Sequence, residues 1–384
     1  MKKGLIIFSL ATLCVTSQAQ EGWTLRQCID YAIEHNIEIQ QTANEAEQNA
    51  IEVNTAKWAR LPNLSGSAGQ NWSWGRSQSP KDNTYSDVNS GSTQFGLNTN
   101  VPLFTGLQLP NQYALSKLNL KAAIEDLNKA KEDIAINVTS SYLQVLFNME
   151  LSKVAASQTE LSKEQYKRII RLAEVGKASS AEVAEAKARV AQDEMSLVQA
   201  ENNYQLALLD LSQLLELPTP EGFTLAQPDT VVNFAPLTAP DDIYTEALSN
   251  KPGIRAAQFR LEGSEKSIRI AQSNYYPQLS FGASIGTNFY TLNGSAEHSF
   301  GSQLKNNLNK GIGFNLSVPL FNRLATRNRV RSARLQQTNL ALQLDNTKKV
   351  LYKEIQQAWY NAVAAESKFN SSMQPLLPMK NLSV

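Results

Sequence analysis

The sequence has few of the residues that carry catalysis or bind metals. Of its 384 residues, only His35, His298, Cys14 and Cys28 are histidine or cysteine, and they are too scattered for a zinc site. Lys and Arg number 36 against 35 Asp and Glu, for a formal net charge of +1. Because nucleic-acid-binding chains carry a basic excess, this balance argues against that class. The composition predicts no catalytic residue, no cofactor and no metal.

The chain also lacks a second apolar run that approaches membrane-spanning length. Its first segment joins basic Lys2 and Lys3 to an apolar run, Leu5–Val15, and then to Ser17-Gln18-Ala19. This pattern predicts a secretory signal peptide over residues 1–19, cleaved after Ala19. A membrane anchor is disfavoured, because the run is shorter than the roughly 20 residues that span a bilayer. Any insertion into a membrane is therefore expected to use strands.

Two parts of the sequence repeat each other. Leu61-Pro62-Asn63-Leu64-Ser65 returns later in the chain as Tyr276-Pro277-Gln278-Leu279-Ser280, and Val101-Pro102-Leu103-Phe104 returns unchanged as Val318-Pro319-Leu320-Phe321. The pattern predicts a first repeat at 20–217, a proline-rich linker at 218–240 and a second repeat at 241–384. Each repeat is expected to run helix, strand, loop, strand, long helix.

Four segments alternate apolar with small polar residues, which predicts strands. They are Leu64–Trp74, Phe95–Leu103, Leu279–Phe289 and Ile312–Leu320, with polar loops at 75–93 and 291–310. An ordinary half-buried sheet is one interpretation. Strands of about 9–11 residues with aromatic residues at their ends favour a membrane barrel. Four strands cannot close a barrel, so copies must associate, and the strand count allows a dimer or a trimer.

The alternation assigns each strand position to one of two faces. The apolar face is predicted to meet lipid through Phe95, Leu97, Val101, Phe281, Ile285, Ile312, Phe314 and Leu316. The polar face is predicted to line a lumen through Asn71, Asn98, Asn100, Ser284, Asn288, Asn315 and Ser317. Pro102 and Pro319 lack an N–H, so we expect them where strand pairing stops.

The helices predicted from the sequence are long. Between Asn111 and Leu217 there is no proline, Gly176 is the only glycine, and apolar residues recur at spacings of three, four and seven. A helix over 111–175 would extend about 98 Å. Gly176 suits a helix C-cap, and Ser179 with Glu182 forms a capping box that opens a return helix over 180–217. Helices are also predicted over 24–60 and from about Asp241 to before Pro277.

These features together resemble the TolC-type outer-membrane efflux proteins. The resemblance is carried by the duplicated units, the two Val-Pro-Leu-Phe strand ends, the strand starts at Pro62 and Pro277, and the turn Val175–Val183. It implies a mixed α and β membrane protein, with a trimer that shares a 12-stranded barrel in the cell outer membrane and a long periplasmic α-helical tunnel. It also implies a passive exit duct of a tripartite efflux or type I secretion system. A periplasmic adaptor and an inner-membrane pump would be its partners. The adaptor would contact the hairpin tip, which consists of Val175, Gly176, Lys177, Ala178 and Ser179.

One departure from the family pattern concerns the second hairpin. After Phe104 the first repeat continues as far as Leu217, whereas the sequence ends at Val384, much sooner after Phe321. The second tip and its return helix are missing, so no gate residues can be assigned. Pro375 and Pro378 fall where the first repeat has mid-helix Gln158 and Leu161, and interior prolines disfavour a helix. The sequence therefore predicts a C-terminus that is truncated or out of frame from about Met373.

Two other functional classes are weighed against the duct. A periplasmic coiled-coil adaptor or scaffold without a pore would also carry a helical hairpin, but would not need four strands of membrane length. An exported hydrolase is disfavoured because no nucleophile motif is recognisable. Gly311-Ile312-Gly313 lacks the rest of a nucleotide fingerprint, and Asp241-Asp242 is more simply a helix cap. The chain is predicted not to be an enzyme.

Overall fold

The computed structural model describes residues 22–78, 83–87, 89–226, 236–293, 296 and 298–373. The predicted signal peptide and both Pro375 and Pro378 lie outside the described residues. The helices are α1 (Leu25–His35), α2 (Ile37–Trp58), α3 (Gln108–Glu174), α4 (Ser180–Leu214), α5 (Pro240–Asn250), α6 (Pro252–Ser273), α7 (Phe300–Asn306) and α8 (Ala325–Met373). The strands are β1 (Asn63–Ser73), β2 (Arg76–Gln78), β3 (Tyr85–Asp87), β4 (Ser90–Phe104), β5 (Gln278–Leu292) and β6 (Asn309–Ser317). Of the helices in these ranges, none is long and apolar enough to cross a membrane.

The chain divides into two compact units. Unit 1 holds the described residues of Met1–Thr42 and Leu127–Ala235, and unit 2 those of Ala43–Asp126 and Pro236–Val384. The element order α1, α2, β1, β4, α3 is followed later in the chain by α5, α6, β5, β6, α8. The remaining short elements β2, β3 and α7 lie between the long strands.

The prediction of one continuous helix over 24–60 was wrong at Asn36. The backbone of Asn36 is extended (ψ 130°), which ends α1, and its side-chain Oδ1 accepts hydrogen bonds from the amides of Glu38 and Ile39, which begins α2. The same break occurs in the second repeat, where Lys251 is extended (ψ 123°) and Pro252 opens α6. An asparagine cap and a proline at the first helical position thus set these boundaries.

Unit 1 is held together by packing of α1, α3 and α4. Val138, Val145, Leu211 and Leu215 are fully buried at this contact, together with Cys28 of α1. Each buried aliphatic side chain contributes about 1.5–3 kcal/mol through the apolar surface that it removes from water. The hydroxyl of Tyr142 lies 2.9 Å from the carbonyl of Ala226 and 3.1 Å from that of Trp23. The Tyr142 hydroxyl therefore holds Trp23, which precedes α1, and Ala226, which follows α4.

Unit 2 contains the large sheet and the helices that join it. Its α6 packs against α8 and approaches α3 closely, because a Cβ at Gly263 would meet the Leu115 side chain at 3.1 Å. Arg255 forms an ion pair with buried Glu125 at 2.8 Å, and Arg260 pairs with Asp126. The Arg–Glu pair has its carboxylate 7% exposed. The Arg255 guanidinium therefore offsets part of the cost of burying this carboxylate.

The sheet is antiparallel in the order β1-β4-β5-β6. Asn63 lies opposite Asn100, Phe104 opposite Leu279, and Gln278 opposite Ser317. All four strand ends that connect to helices therefore lie at one end of the sheet. Pairing of β4 with β1 ends at Asn100, before Pro102, whereas on the β5 side Pro102 still lies opposite Ser280 and next to a register shift. The predicted strand over 312–320 was wrong at its end, because β6 stops at Ser317 and Pro319 follows it.

Candidate functional site

The large sheet presents two chemically different faces. Residues directly opposite one another in neighbouring strands point to the same side of a sheet. The row Leu64, Thr99, Ala283, Ile312 therefore occupies one face, and the row Ser65, Asn98, Ser284, Gly311 occupies the other. Three of the four residues in the first row are apolar, whereas the second row holds only uncharged Ser, Asn and Gly.

The strand register brings the members of each predicted set together. On the first face lie all the residues that the sequence assigned to lipid: Phe95, Leu97, Val101, Phe281, Ile285, Ile312, Phe314 and Leu316. On the opposite face lie all those assigned to a lumen: Asn71, Asn98, Asn100, Ser284, Asn288, Asn315 and Ser317. The grouping is a property of the fold, whereas the surroundings of each face stay a prediction.

The apolar face has large side chains open to the surroundings. Ile312 is 82% exposed, Phe314 is 71% exposed and Leu316 is 63% exposed. The ring centroids of Phe281 and Phe314 lie 5.2 Å apart across β5 and β6. A contiguous exposed apolar surface of this kind is typical of a membrane or protein contact.

The sheet ends in two strands that have a partner on one side only. These are β1 and β6, the first and last in the strand order. Every residue of β1 is exposed, and so is every residue of β6 except one half-buried position. Free strand edges offer rows of N–H and C=O groups to another chain. The sheet can therefore be extended at both sides.

The predicted hairpin tip joins α3 to α4 through a tightly capped turn. The amide of Lys177 donates to the carbonyl of Leu172 at 2.8 Å, and that of Gly176 donates to Ala173 at 3.0 Å. These are the two bonds of a Schellman C-cap, and Gly176 has the positive φ of 72° that it requires. Val175 at this turn is 66% exposed. The tip is thus a fixed turn with an open apolar side chain.

The capping box predicted at the start of α4 is present. The hydroxyl of Ser179 accepts from the amide of Glu182 at 3.2 Å, while the Glu182 carboxylate accepts from the Ser179 amide at 2.6 Å and from its hydroxyl at 2.8 Å. These hydrogen bonds favour the charged form and lower the pKa of Glu182.

Helix α1 carries one cysteine and one histidine, Cys28 and His35. Cys28 is fully buried, and burial raises the pKa of its thiol to about 11. His35 stacks on Tyr31 with the ring centroids 4.0 Å apart. Within the described ranges no three His, Cys, Asp or Glu side chains come together to hold a metal ion.

Sequence reasoning missed the structure inside the two polar loops. The first contains the β2–β3 hairpin, and the second contains α7, whose Gln303 is only 5% exposed. Phe300 packs edge-on against Phe289 of β5, with the ring centroids 5.0 Å apart. The loops consist mostly of polar residues. In the second loop, Phe300 and Leu304 recur at the helical spacing of four, a signal that could have indicated α7.

This combination of a two-faced sheet and long paired helices is the fold of solved outer-membrane channels. The chain superposes on the outer-membrane channel OprN with a TM-score of 0.75 at 21% identity, over 91% of this chain and 76% of that one. It superposes on the outer membrane protein VceC of Vibrio cholerae with a TM-score of 0.76 at 17% identity, over 93% of this chain and 83% of that one.

Sequence comparison gives the family. The profile of the outer membrane efflux proteins matches residues 28–216 and 243–374, and the chain belongs to this family. The outer membrane protein TolC of Escherichia coli K12 is 23% identical over 98% of this chain and 75% of its own length. This family consists of efflux channels, in agreement with the prediction of a non-enzymatic outer-membrane protein.

The length of chain shared with the relatives varies. The pyoverdine export outer membrane protein OpmQ of Pseudomonas aeruginosa is 26% identical over 61% of this chain and 47% of its own. A Haemophilus influenzae protein without an assigned function is 24% identical over 53% of this chain and 44% of its own. The chain thus spans less than half the length of these two relatives and three quarters of TolC.

Proposed function

We propose that three copies of this chain form a passive exit duct in the outer membrane. The observation that carries this proposal is the segregation of residues on the sheet, with exposed apolar side chains on one face and Asn, Ser and Gly on the other. The proposal takes the apolar face to lie against lipid and the polar face to line a water-filled lumen. Solutes would pass along that lumen.

The free edges of the sheet support assembly. Unpaired backbone groups at an open edge cannot be satisfied in lipid, so β1 and β6 need partner strands. Because the four strands are antiparallel and even in number, β6 of one copy can pair with β1 of the next without breaking the alternation of strand direction. Three copies then supply twelve strands to one closed barrel, which is the number that the resemblance to the TolC type implies.

The chemistry of the polar face supports passive conduction. Uncharged Asn98, Ser284 and Asn315 would hydrate a solute path without selecting for charge. Nothing in the sequence indicates a nucleotide-binding loop that could supply energy. A pump elsewhere is therefore proposed to drive transport, through an adaptor that contacts the capped tip at Val175–Ser179. Relatives named for pyoverdine export and for toxin and drug export fit small-molecule or protein cargo.

Two neighbouring positions on β5 test the orientation of the faces. In a Cys28→Ala background, Ser284→Cys and Ile285→Cys place one thiol on each face of the sheet. A water-soluble, membrane-impermeant maleimide is expected to label Ser284→Cys in outer-membrane vesicles and to reduce single-channel conductance in planar bilayers. Ile285→Cys is the matched control and is expected to stay unlabelled.

The same experiment separates the duct from the alternative. A pore-free periplasmic scaffold would give no conductance for either variant. Preferential labelling of Ile285→Cys, or equal labelling of the two thiols, would contradict the assignment of the faces.

A further inference from the structure

The ends of the four helices that join the sheet carry only one sign of charge. They comprise residues 53–62, 105–124, 266–277 and 318–344, all within unit 2. Their basic residues are Lys57, Arg60, Lys117, Lys121, Lys266, Arg269, Arg323, Arg327, Arg329, Arg331 and Arg334. We call these eleven residues the basic collar. The first carboxylates met along the chain away from the sheet are Glu52, Glu125, Glu265 and Asp345.

The strand register places the collar at one end of the sheet. Asn63 begins β1, Phe104 ends β4, Gln278 begins β5 and Ser317 ends β6, and all four lie at the same end. The helix segments that continue from them therefore start side by side. At 1.5 Å per residue, Arg334 lies about 14 Å along α8 from its first residue, and the other α8 arginines lie closer to the sheet.

The positive charges of the collar are exposed to the surroundings. Ten of the eleven side chains are exposed, and Lys266 is half-buried. In the part of the chain that the structure describes, none of the five arginines between 323 and 334 forms an ion pair. Lys57 lies 5.1 Å from the Trp58 ring centroid and Lys117 lies 4.3 Å from that of Tyr113. These aromatic contacts leave the positive charges uncompensated.

The arginines are not required by the fold of the repeat. The equivalent positions of the first repeat, for Arg323, Arg327, Arg329, Arg331 and Arg334 in turn, hold Gly106, Pro110, Gln112, Ala114 and Lys117. The helix α3 forms there with a single cation among them. The concentration of arginine at the start of α8 therefore has a cause other than helix formation.

A second copy of the chain cannot neutralise the collar. In a closed cyclic assembly, each copy meets its neighbours at the same height along the axis. The collar of one copy would then lie beside the equally basic collar of the next. This argument rests on the proposed function, which supplies both the cyclic assembly and a membrane around the sheet. A bound counter-charge for the collar would therefore come from outside the protein.

We propose that the basic collar binds the phosphate groups of anionic phospholipids in the leaflet that borders the helices. Arginine suits this role because its planar guanidinium donates paired hydrogen bonds to phosphate oxygens. The exposed Trp58, Tyr275 and Tyr276 lie on the same helix ends, and Trp and Tyr are enriched where protein meets lipid headgroups. Juxtamembrane basic clusters bind anionic lipid in this way.

Native mass spectrometry of the detergent-purified full chain tests the proposal. The protein is titrated with phosphatidylglycerol or with zwitterionic phosphatidylcholine, and bound lipids are counted per assembly. The test variant combines Arg327→Gln, Arg331→Gln and Arg334→Gln, which preserves helix propensity. The control combines Arg168→Gln, Arg171→Gln and Lys187→Gln on the α3–α4 hairpin, which removes the same charge from unit 1.

The wild type and the control are expected to prefer phosphatidylglycerol, and the test variant is expected to lose about tenfold of that preference. The preference should also weaken as salt is raised. Equal binding of the two lipids by the wild type, or an unchanged preference in the test variant, would overturn the proposal. A co-purified acidic protein that the test variant loses, without any lipid preference, would also overturn it.

The same spectra report the assembly state, so the two proposals can fail separately. A trimer that shows no lipid preference would contradict the lipid site but not the proposed duct. A monomer would contradict the duct, and its binding of the two lipids would still test the lipid site by the same criteria.

Discussion

The side chain of Gln303 hydrogen bonds with the backbone of Tyr290 as a neighbouring strand would. Its Oε1 accepts from the Tyr290 amide at 3.1 Å, and its Nε2 donates to the Tyr290 carbonyl at 3.0 Å. Asn307 similarly donates to the carbonyl of Asn288 at 2.8 Å. Pairing of β5 with β6 stops at Gly286. Side-chain amides therefore satisfy the edge of β5 beyond that point.

Replacing Gln303 should weaken this edge. In Gln303→Ala, both backbone groups of Tyr290 lose a buried partner, which we expect to cost about 1–3 kcal/mol locally. Hydrogen exchange read by mass spectrometry should show faster exchange across residues 286–293. The exposed neighbour Lys305→Ala is the control. Equal exchange in both variants would show that the Gln303 contact contributes nothing.

The buried thiol gives a prediction about reactivity. Burial raises the pKa of Cys28 to about 11, against an ordinary value of 9.0. At pH 8 the folded thiol should therefore react with iodoacetamide at least about 100-fold more slowly than the thiol in denaturant, because only the thiolate reacts. Similar alkylation rates in the two states would contradict the burial of Cys28.

The same shift predicts a change in stability at alkaline pH. The unfolded thiol ionises near pH 9, whereas the folded thiol stays protonated until about pH 11. The contribution of the neutral thiol is therefore fully present below pH 9 and is lost as pH rises to 11. The unfolding temperature of the wild type should fall more between pH 9 and pH 11 than that of Cys28→Ala. Parallel curves of unfolding temperature against pH would contradict this prediction.

The hairpin tip depends on the positive φ of Gly176. An added Cβ meets no atom within 4 Å, so the cost of Gly176→Ala is backbone strain of about 1 kcal/mol. Gly176→Asn should cost less, because Asn adopts this conformation more readily. Amide exchange at residues 172–180 should rank the variants Ala, Asn, Gly from fastest to slowest. The reverse order would disprove the role of φ.

Acid should open the start of α4. Hydrogen bonds from Ser179 lower the pKa of Glu182 below its usual 4.5. Its stabilising effect is therefore present above pH 4.5 and is lost as the pH falls through the lowered value. Amide protection at residues 179–183, corrected for intrinsic exchange, should fall in the wild type and stay flat in Glu182→Gln. A flat wild-type profile would contradict this.

The sequence was sufficient for the periodic elements. Strict alternation in residues 279–289 determined which side chains of β5 share a face, and Gly176 marked the end of α3, although the helix begins at Gln108, before Pro110. Caps were equally readable, since Ser179 with Glu182 forms the box that the spacing predicts. These features depend on residues close together in the chain.

Features that depend on distant residues were not predicted. The side-chain amide of Asn36 donates to the carbonyl of Leu214, far away in the sequence, and this contact accompanies the break between α1 and α2. The buried Gln303 likewise requires the end of β5 beside it. The basic collar emerges only when the strand register brings the ends of four helices together. The spacing of residues within one segment does not indicate contacts with distant segments.

The number of copies tests the central claim most directly. We would measure the native mass of this chain after mild detergent extraction from the outer membrane. The account predicts a mass of three chains, because three four-stranded sheets with free β1 and β6 edges close one twelve-stranded barrel. A monomer that remains folded in the membrane, or absence of the chain from the outer membrane, would contradict it.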